Sequence, residues 1–143
     1  MNGYQMQIAQ LRDRVITEPK SVGTGDLSTF AGVWINSNPE TTGVARMVIT
    51  QSGSQFSLRV YAIGPEGLID WGSVDVNVFT ATPSSHGVAG FTCLYDFGFV
   101  ETRLQAMILK GLIVLAQIHR FKDGGDRVDY FVREYFALEH GRY

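Results

Sequence analysis

The sequence predicts an all-β protein, an eight-stranded antiparallel up-and-down β-barrel with a short N-terminal α-helix. Two observations support this fold class. Strand-like segments recur along residues 29–138 and are separated by turns rich in Gly, Pro, Asn and Asp. No helical segment lies between them, so sequence neighbours should pair antiparallel, and closure would remove exposed sheet edges. Residues 139–143 are expected to form a tail.

The eight predicted strands are short and mostly alternate between apolar and polar residues. In the third strand, Phe56, Leu58 and Val60 alternate with Ser57 and Arg59, which predicts one buried and one solvated face. The strands are placed at residues 29–37, 43–51, 55–63, 71–81, 89–97, 100–110, 112–121 and 127–138.

Residues 1–28 are expected to hold the helix and a flexible connection. Ile8, Leu11 and Val15 recur at helical spacing, and Pro19 marks the end of the helix. The helix can act as a lid on one mouth of the barrel. It can equally pack on the outer wall or on a partner subunit, and the sequence does not decide between these roles.

The bulk composition excludes several classes of protein. A chain of 143 residues, with 45% hydrophobic and 18% charged residues, suits one ordered domain. The net charge of -2 provides no basic field, and no apolar run reaches the length of a membrane span, so we expect neither nucleic-acid nor membrane partners. The single cysteine, Cys93, is expected to be buried and inert, and the first residues show neither the basic region nor the apolar region of a signal peptide. We therefore expect a cytoplasmic protein.

Part of the predicted outer wall is apolar. The strand at 112–118 does not alternate, and the segment at 128–136 is aromatic on both faces. Strands with two apolar faces are usually covered on both sides. The N-terminal helix or a second subunit can provide the cover, so we expect a homodimer or higher oligomer. A strictly monomeric light-scattering mass over a wide concentration range would contradict this expectation.

A Gly-x-Trp motif on the first strand, Gly32-Val33-Trp34, is followed by the strand series and by Arg133 late in the last strand. This pattern resembles the lipocalin and avidin-like (calycin) architecture. The resemblance implies that Trp34 closes one end of the barrel and that Arg133 packs against it, because a guanidinium stacks well on an indole. Gly32 would permit close strand crossing, and Asn36 would brace the same end. The working surface would then be the other mouth or the apolar outer wall.

A closer resemblance is to a family of small, poorly characterised bacterial barrel domains. It covers about residues 29–138 and is carried by the Trp-x-Asn run from Trp34, by the Thr-x-Gly-Val-x-Arg run that ends at Arg46, and by Asp70-Trp71-Gly72. Many such domains have cysteines near the Asp-Trp-Gly element, and this chain has none there. The resemblance implies fold more than function, since one barrel hosts binding proteins and enzymes.

Few charged residues are candidates for chemistry. Arg46, beside the first hairpin, is either an anion ligand at the barrel mouth or a brace for loop carbonyls. Asp75, Glu101, Arg103 and Glu134 are assigned to the solvated face. The reverse register would turn Asp75, Glu101 and Arg103 inward, and a buried carboxylate near an arginine would be an acid–base candidate. His119 is either a general acid–base in the cavity or a surface residue at a strand end. Histidine spacing favours no metal site, and no cofactor is expected.

Aromatic residues indicate either a packed interior or an apolar pocket with polar anchors. The leading hypothesis is a cavity that binds a small hydrophobic or amphipathic organic molecule. Catalysis without a cofactor, as a cyclase or isomerase on a polyene or polyketide-like substrate, is the alternative. A protein-interaction domain that uses the apolar outer wall is the third. The candidate ligand-binding residues are Phe56, Phe79, Phe91, Tyr95, Met107, Tyr130 and Arg46.

Overall fold

A computed structural model of the chain describes residues 30–84 and 87–139. The predicted N-terminal helix falls on residues 1–28, which lie outside the described residues, as does nearly all of the predicted tail. No helix long and apolar enough to cross a membrane is found in the part of the chain that the structure describes.

The described residues form a single antiparallel sheet that curls into a half-barrel, which confirms the predicted all-β antiparallel class. This shape is compatible with a calycin-like fold. The strand order across the sheet is β4-β3-β2-β1-β9-β8-β7-β6-β5. The nine strands are β1 (Gly32–Asn36), β2 (Val44–Ser52), β3 (Gln55–Gly64), β4 (Gly67–Asp75), β5 (Asn77–Thr80), β6 (Val88–Asp96), β7 (Val100–Leu109), β8 (Leu112–Phe121) and β9 (Tyr130–Leu138).

The sheet has nine strands rather than the predicted eight because the region of the fourth predicted strand is divided at Val76. Before Val76 the chain pairs as β4 with β3, and after it the chain pairs as β5 with β6. The Val76 N–H donates to the Phe56 carbonyl at 3.0 Å. β4 and β5 are the two edges of the sheet, yet only one residue separates them in sequence. The sheet must therefore curve far enough to bring its edges together.

Side-chain alternation gives the curled sheet a buried concave face. Phe56, Leu58 and Val60 are buried as predicted, and the structure also buries Cys93. Desolvation raises the pKa of the Cys93 thiol to about 12, in agreement with an inert cysteine. The buried hydrophobic core consists mainly of Phe30, Trp34, Val44, Met47, Ile49, Phe56, Leu58, Val60, Phe91, Cys93, Tyr95, Leu104, Ala106, Ile113, Leu115 and Phe136.

Aromatic residues fill the interior at the end of the sheet where β1 begins. The Phe30 ring makes edge contacts with Phe56 and Phe91, at centroid distances of 6.2 and 5.4 Å. The indole Nε1–H of Trp34 donates to the Phe30 carbonyl at 3.0 Å. Trp34 is thus a buried core residue that fixes the entry of the chain into β1.

Two glycines occupy positions that a side chain would disturb, for different reasons. Gly32 has a φ of +141°, and a Cβ there would lie 2.9 Å from Cδ1 of Leu138 on β9. A Cβ at Gly90 would lie 2.2 Å from the Ala106 carbonyl oxygen on β7, a distance that only a backbone shift could relieve. Close approach of strand backbones is therefore found at Gly90, whereas at Gly32 the nearest atom is the end of a flexible side chain and the left-handed φ is the constraint.

Replacing Gly90 by alanine should destabilise the fold, because the new methyl group meets backbone rather than a flexible side chain. We expect Gly90→Ala to lower the free energy of unfolding by about 1–3 kcal/mol, the usual range for overpacking, as measured by urea denaturation. Gly125→Ala is the matched control, since a Cβ there is 3.4 Å from the nearest atom, in the Asp123 carboxylate. Equal stability of the two variants would contradict the prediction.

Candidate ligand site at the mouth of the half-barrel

The connections that follow β1, β3, β6 and β8 lie at one end of the sheet because successive strands alternate in direction. We call this end the mouth. Phe30 and the aromatic contacts around it lie at the opposite end, where β1 begins. Polar side chains at inward positions of β1, β8 and β9 are found near the mouth.

Glu134 on β9 is a half-buried carboxylate held by three uncharged donors. Its Oε2 accepts from Asn36 Nδ2 at 2.9 Å and from the Thr41 hydroxyl at 2.6 Å. Its Oε1 accepts from Gln117 Nε2 at 2.8 Å. Thr41 Oγ1 also accepts from the Gly43 N–H at 3.0 Å, so the β1–β2 loop is tied to the carboxylate. No lysine or arginine of the described residues forms an ion pair with Glu134.

The strand register brings Thr102, His119 and Tyr130 side by side across β7, β8 and β9. His119 is only 7% exposed, and its Nδ1 lies 2.9 Å from the Thr102 hydroxyl. Its ring stacks on Tyr130 with centroids 4.3 Å apart. Burial lowers the pKa of His119, which favours the neutral imidazole at neutral pH. No hydrogen bond to its Nε2 is present among the described residues, and the ring lines two cavities.

The first of these cavities has a volume of about 510 Å³ and a lining that is about half polar. Its wall includes the Glu134 carboxylate, the Gln117 amide and the Thr41 hydroxyl. The full lining is Asn38, Glu40, Thr41, Thr42, Gly43, Val44, Ala62, Ile63, Ile69, Trp71, Gln117, His119, Tyr130, Val132 and Glu134. We call it the polar compartment.

The second cavity is largely apolar and has a volume of about 560 Å³. It shares Ile69, Trp71, His119 and Tyr130 with the polar compartment, so the two adjoin. The remaining lining residues are Asp70, Phe97, Phe99, Val100, Thr102 and Phe121. We call it the apolar compartment.

The wall around Trp71 is held in place by Tyr95 on β6. The Tyr95 hydroxyl donates to the Gly72 carbonyl at 2.7 Å and lies 3.3 Å from the Leu58 carbonyl, and burial raises its pKa. Its ring makes an edge contact with Trp71 at 5.2 Å and stacks on Phe97 at 5.6 Å. Tyr95 therefore positions the aromatic wall of the site through packing and backbone contacts.

Several predicted ligand-binding residues are core residues instead. Phe56 and Phe91 are almost fully buried, because both rings pack against Phe30 at the end of the sheet opposite the mouth. Tyr95 is buried behind Trp71. Of the predicted aromatic ligand residues, Tyr130 lines the mouth directly.

Phe79 and Met107 lie on the outer wall, where they are 51% and 55% exposed. They line an outer groove of about 840 Å³ that runs over β5 to β9 and also contains Phe131 and Arg133. The structure does not bring Arg133 to Trp34. Arg133 occupies the outward position opposite Ala116, whereas the Trp34 indole is buried.

Arg46 lies on the outer wall, because a bulge between Val44 and Arg46 precedes the inward Met47. Its guanidinium packs over the Tyr61 ring, 4.8 Å from the centroid. The anchor role within the cavity predicted for Arg46 is therefore not supported by its position. Asn36 Nδ2 donates to the carbonyl of Val44, at the start of β2, at 2.8 Å.

The predicted solvated charges divide into two groups. Asp75 is exposed, and Glu101 faces outward and pairs with Arg120 at 3.7 Å, so the reverse register is excluded for these two candidates. The prediction that Glu134 lies on the solvated face is wrong, because Glu134 shares the inward face of β9 with Phe136. Asp70, which is exposed, caps its own turn by accepting from the Gly72 N–H at 2.8 Å.

Sequence reasoning missed Gln117 and Glu134 as site residues. A signal was present on β8, where Gln117 and His119 continue the inward period of Ile113 and Leu115. Polar residues at inward positions require partners, and this requirement points toward a polar interior. On β9 the alternation between inward and outward positions is not visible in the sequence, because aromatic residues occupy both faces.

No group of three or more His, Cys, Asp or Glu side chains within residues 30–84 and 87–139 is arranged to hold a metal ion. Comparison with known proteins gives no assignment, since no family model, curated protein or solved structure matches the chain.

The depressed pKa of His119 predicts a loss of stability in mild acid. The unfolded chain takes up a proton near the ordinary histidine pKa of about 6.5, whereas the folded chain resists protonation until lower pH. Stability from this residue is thus present above pH ~6.5 and lost as the pH falls toward the folded pKa. Urea denaturation at pH 7.5 and 5.5 should show this loss. His119→Asn should reduce the difference between the two pH values, and an undiminished difference would contradict the assignment.

Proposed function

We propose that the protein binds a small amphipathic organic molecule at the mouth. The single observation that supports this most directly is the pair of adjoining compartments, one polar and one apolar, with Trp71, His119 and Tyr130 at their junction. Ligand pockets typically combine apolar walls with a few placed polar groups, and both parts are present here. Their volumes, about 510 and 560 Å³, suit a small organic molecule.

The proposed ligand places its apolar part against Phe97, Phe99 and Trp71. Removal of this part from water supplies most of the affinity, at roughly 25 cal/mol per Å² of apolar surface before the costs of association. Its polar end lies beside Glu134 and His119. These groups provide orientation and selectivity more than affinity.

We further propose that the curled sheet closes as a calycin-like barrel of eight strands, in which β4 and β5 are one strand bent at Val76. A side-chain hydrogen bond between the two halves of the sheet supports this interpretation. Tyr95 on β6 reaches the Gly72 carbonyl on β4. In such a barrel the mouth opens into an interior already filled by side chains at the far end.

The second candidate function is catalysis without a cofactor, as an isomerase or cyclase. It is favoured by one observation, that a neutral His119 and the Glu134 carboxylate line the same compartment. A neutral imidazole can accept a proton from a bound substrate and return it at another atom, which is the transfer that isomerisation requires. Conversion of a co-purifying molecule by the wild type, with loss of conversion in His119→Asn, would favour this function over simple binding.

The predicted homodimer and the cytoplasmic location stay predictions, as does the absence of nucleic-acid and membrane partners. The outer groove lined by Phe79, Met107 and Phe131 is the surface that a second copy would cover. This groove favours the third function, protein interaction through the outer wall.

Binding at the mouth should change the fluorescence of Trp71, which is half-buried and lines both compartments. We expect a saturable change when n-octanol is titrated into the full-length protein. Trp71→Phe should lose the change, because Trp34 is then the only tryptophan and is buried in the core.

Two matched variants locate the binding. Phe99→Asp places a charge in the apolar compartment at a position that is 47% exposed, so the fold should tolerate it. We expect it to weaken n-octanol binding about tenfold, a loss of about 1.4 kcal/mol. Met107→Asp makes the same kind of change in the outer groove and should leave binding unaltered. No saturable binding, or weakening by Met107→Asp alone, would overturn the proposal.

A further inference from the structure

We propose that the ligand of the mouth carries a positive charge, an ammonium group on an apolar body, and that Glu134 is its counter-ion. This inference rests on the proposed function and specifies its ligand class. It begins from the Glu134 carboxylate, whose three protein partners are the side chains of Asn36, Thr41 and Gln117, all uncharged.

A carboxylate removed from bulk water is normally paired with a cation or with a metal. Here three neutral donors fix the position of Glu134 without compensating its charge. A carboxylate has about four acceptor positions, so three bonds leave one free, on Oε1. An ammonium group, which has N–H donors and a positive charge, provides what this carboxylate lacks.

The charge balance of the polar compartment points the same way. Its lining contains two carboxylates, Glu40 and Glu134, and no lysine or arginine. The remaining titratable base, His119, has a pKa lowered by burial. An anionic ligand would meet two like charges there, whereas a cationic ligand would meet two opposite charges.

Aromatic rings in the same wall favour a cation as well. Trp71 and Tyr130 line the polar compartment, and the faces of such rings attract ammonium groups. The buried His119 ring adds an Nε2 without a hydrogen bond among the described residues. This nitrogen is an unused polar group in the wall that both compartments share.

The test compares three probes that share one alkyl chain: n-octylamine, n-octanol and n-octanoate, each kept below its aggregation concentration at pH 7.5. We expect the full-length protein to bind n-octylamine at least about tenfold more tightly than n-octanol, and n-octanoate most weakly. Trp71 fluorescence and isothermal titration provide independent measurements. The common chain isolates the contribution of the head-group charge.

Glu134→Gln removes the charge and keeps the shape of the side chain. In this variant n-octylamine and n-octanol should bind within about twofold of each other, and retained n-octanol binding shows that the site is intact. Glu101→Gln is the matched control, because Glu101 is a carboxylate on the outer wall paired with Arg120. It should keep the full preference for the amine.

The outcomes separate this inference from the proposed function. If n-octanol binds and n-octylamine binds no better, the charge assignment is overturned while binding at the mouth stands. If Glu134→Gln keeps the amine preference, the assignment to Glu134 is overturned. If none of the three probes binds, the proposed function itself fails.

Discussion

The passage of the chain through Val76 is the constraint on which the rest of the structure depends. The two edge strands of the sheet, β4 and β5, are consecutive and are separated by this one residue. A flat sheet of this strand order would hold its edges many strand widths apart, so chain connectivity alone requires the sheet to curl. The Val76 hydrogen bond to Phe56 and the Tyr95 bond to Gly72 hold this turn in place. The concave interior and its mouth are consequences of that curvature.

The two ends of this interior are built on different physical principles. Around Phe30, close packing of aromatic side chains excludes water and stabilises the fold. Around Glu134, a carboxylate and amide and hydroxyl groups occupy inward positions that apolar side chains would fill at lower cost. Polar residues that lower stability are usually found at functional sites. This agrees with the proposed ligand site at the mouth and with a structural role for the opposite end.

Much of the fold was predictable because alternation is a local signal. The period of Phe56, Leu58 and Val60 indicated a sheet with one buried face, and the structure has the predicted antiparallel pairing. The site was harder to predict because it depends on register between distant strands. Apolar and aromatic residues such as Phe131 and Tyr135 occupy the outward face of β9 as well, so nothing in the local sequence marks Glu134 as inward. The change of pairing partner at Val76 is likewise a tertiary feature, set by which strand each half of the segment meets.

We propose that the mouth, and not the outer groove, is the working surface. Nuclear magnetic resonance of the isotope-labelled full-length protein during titration with n-octylamine can distinguish the two, because it reports the backbone amides and the indole N–H groups at once. We expect the largest shift changes on Thr41, Gly43 and the Trp71 indole, which border the polar compartment. Shift changes confined to the outer groove, at Met107 and Phe131, would contradict it.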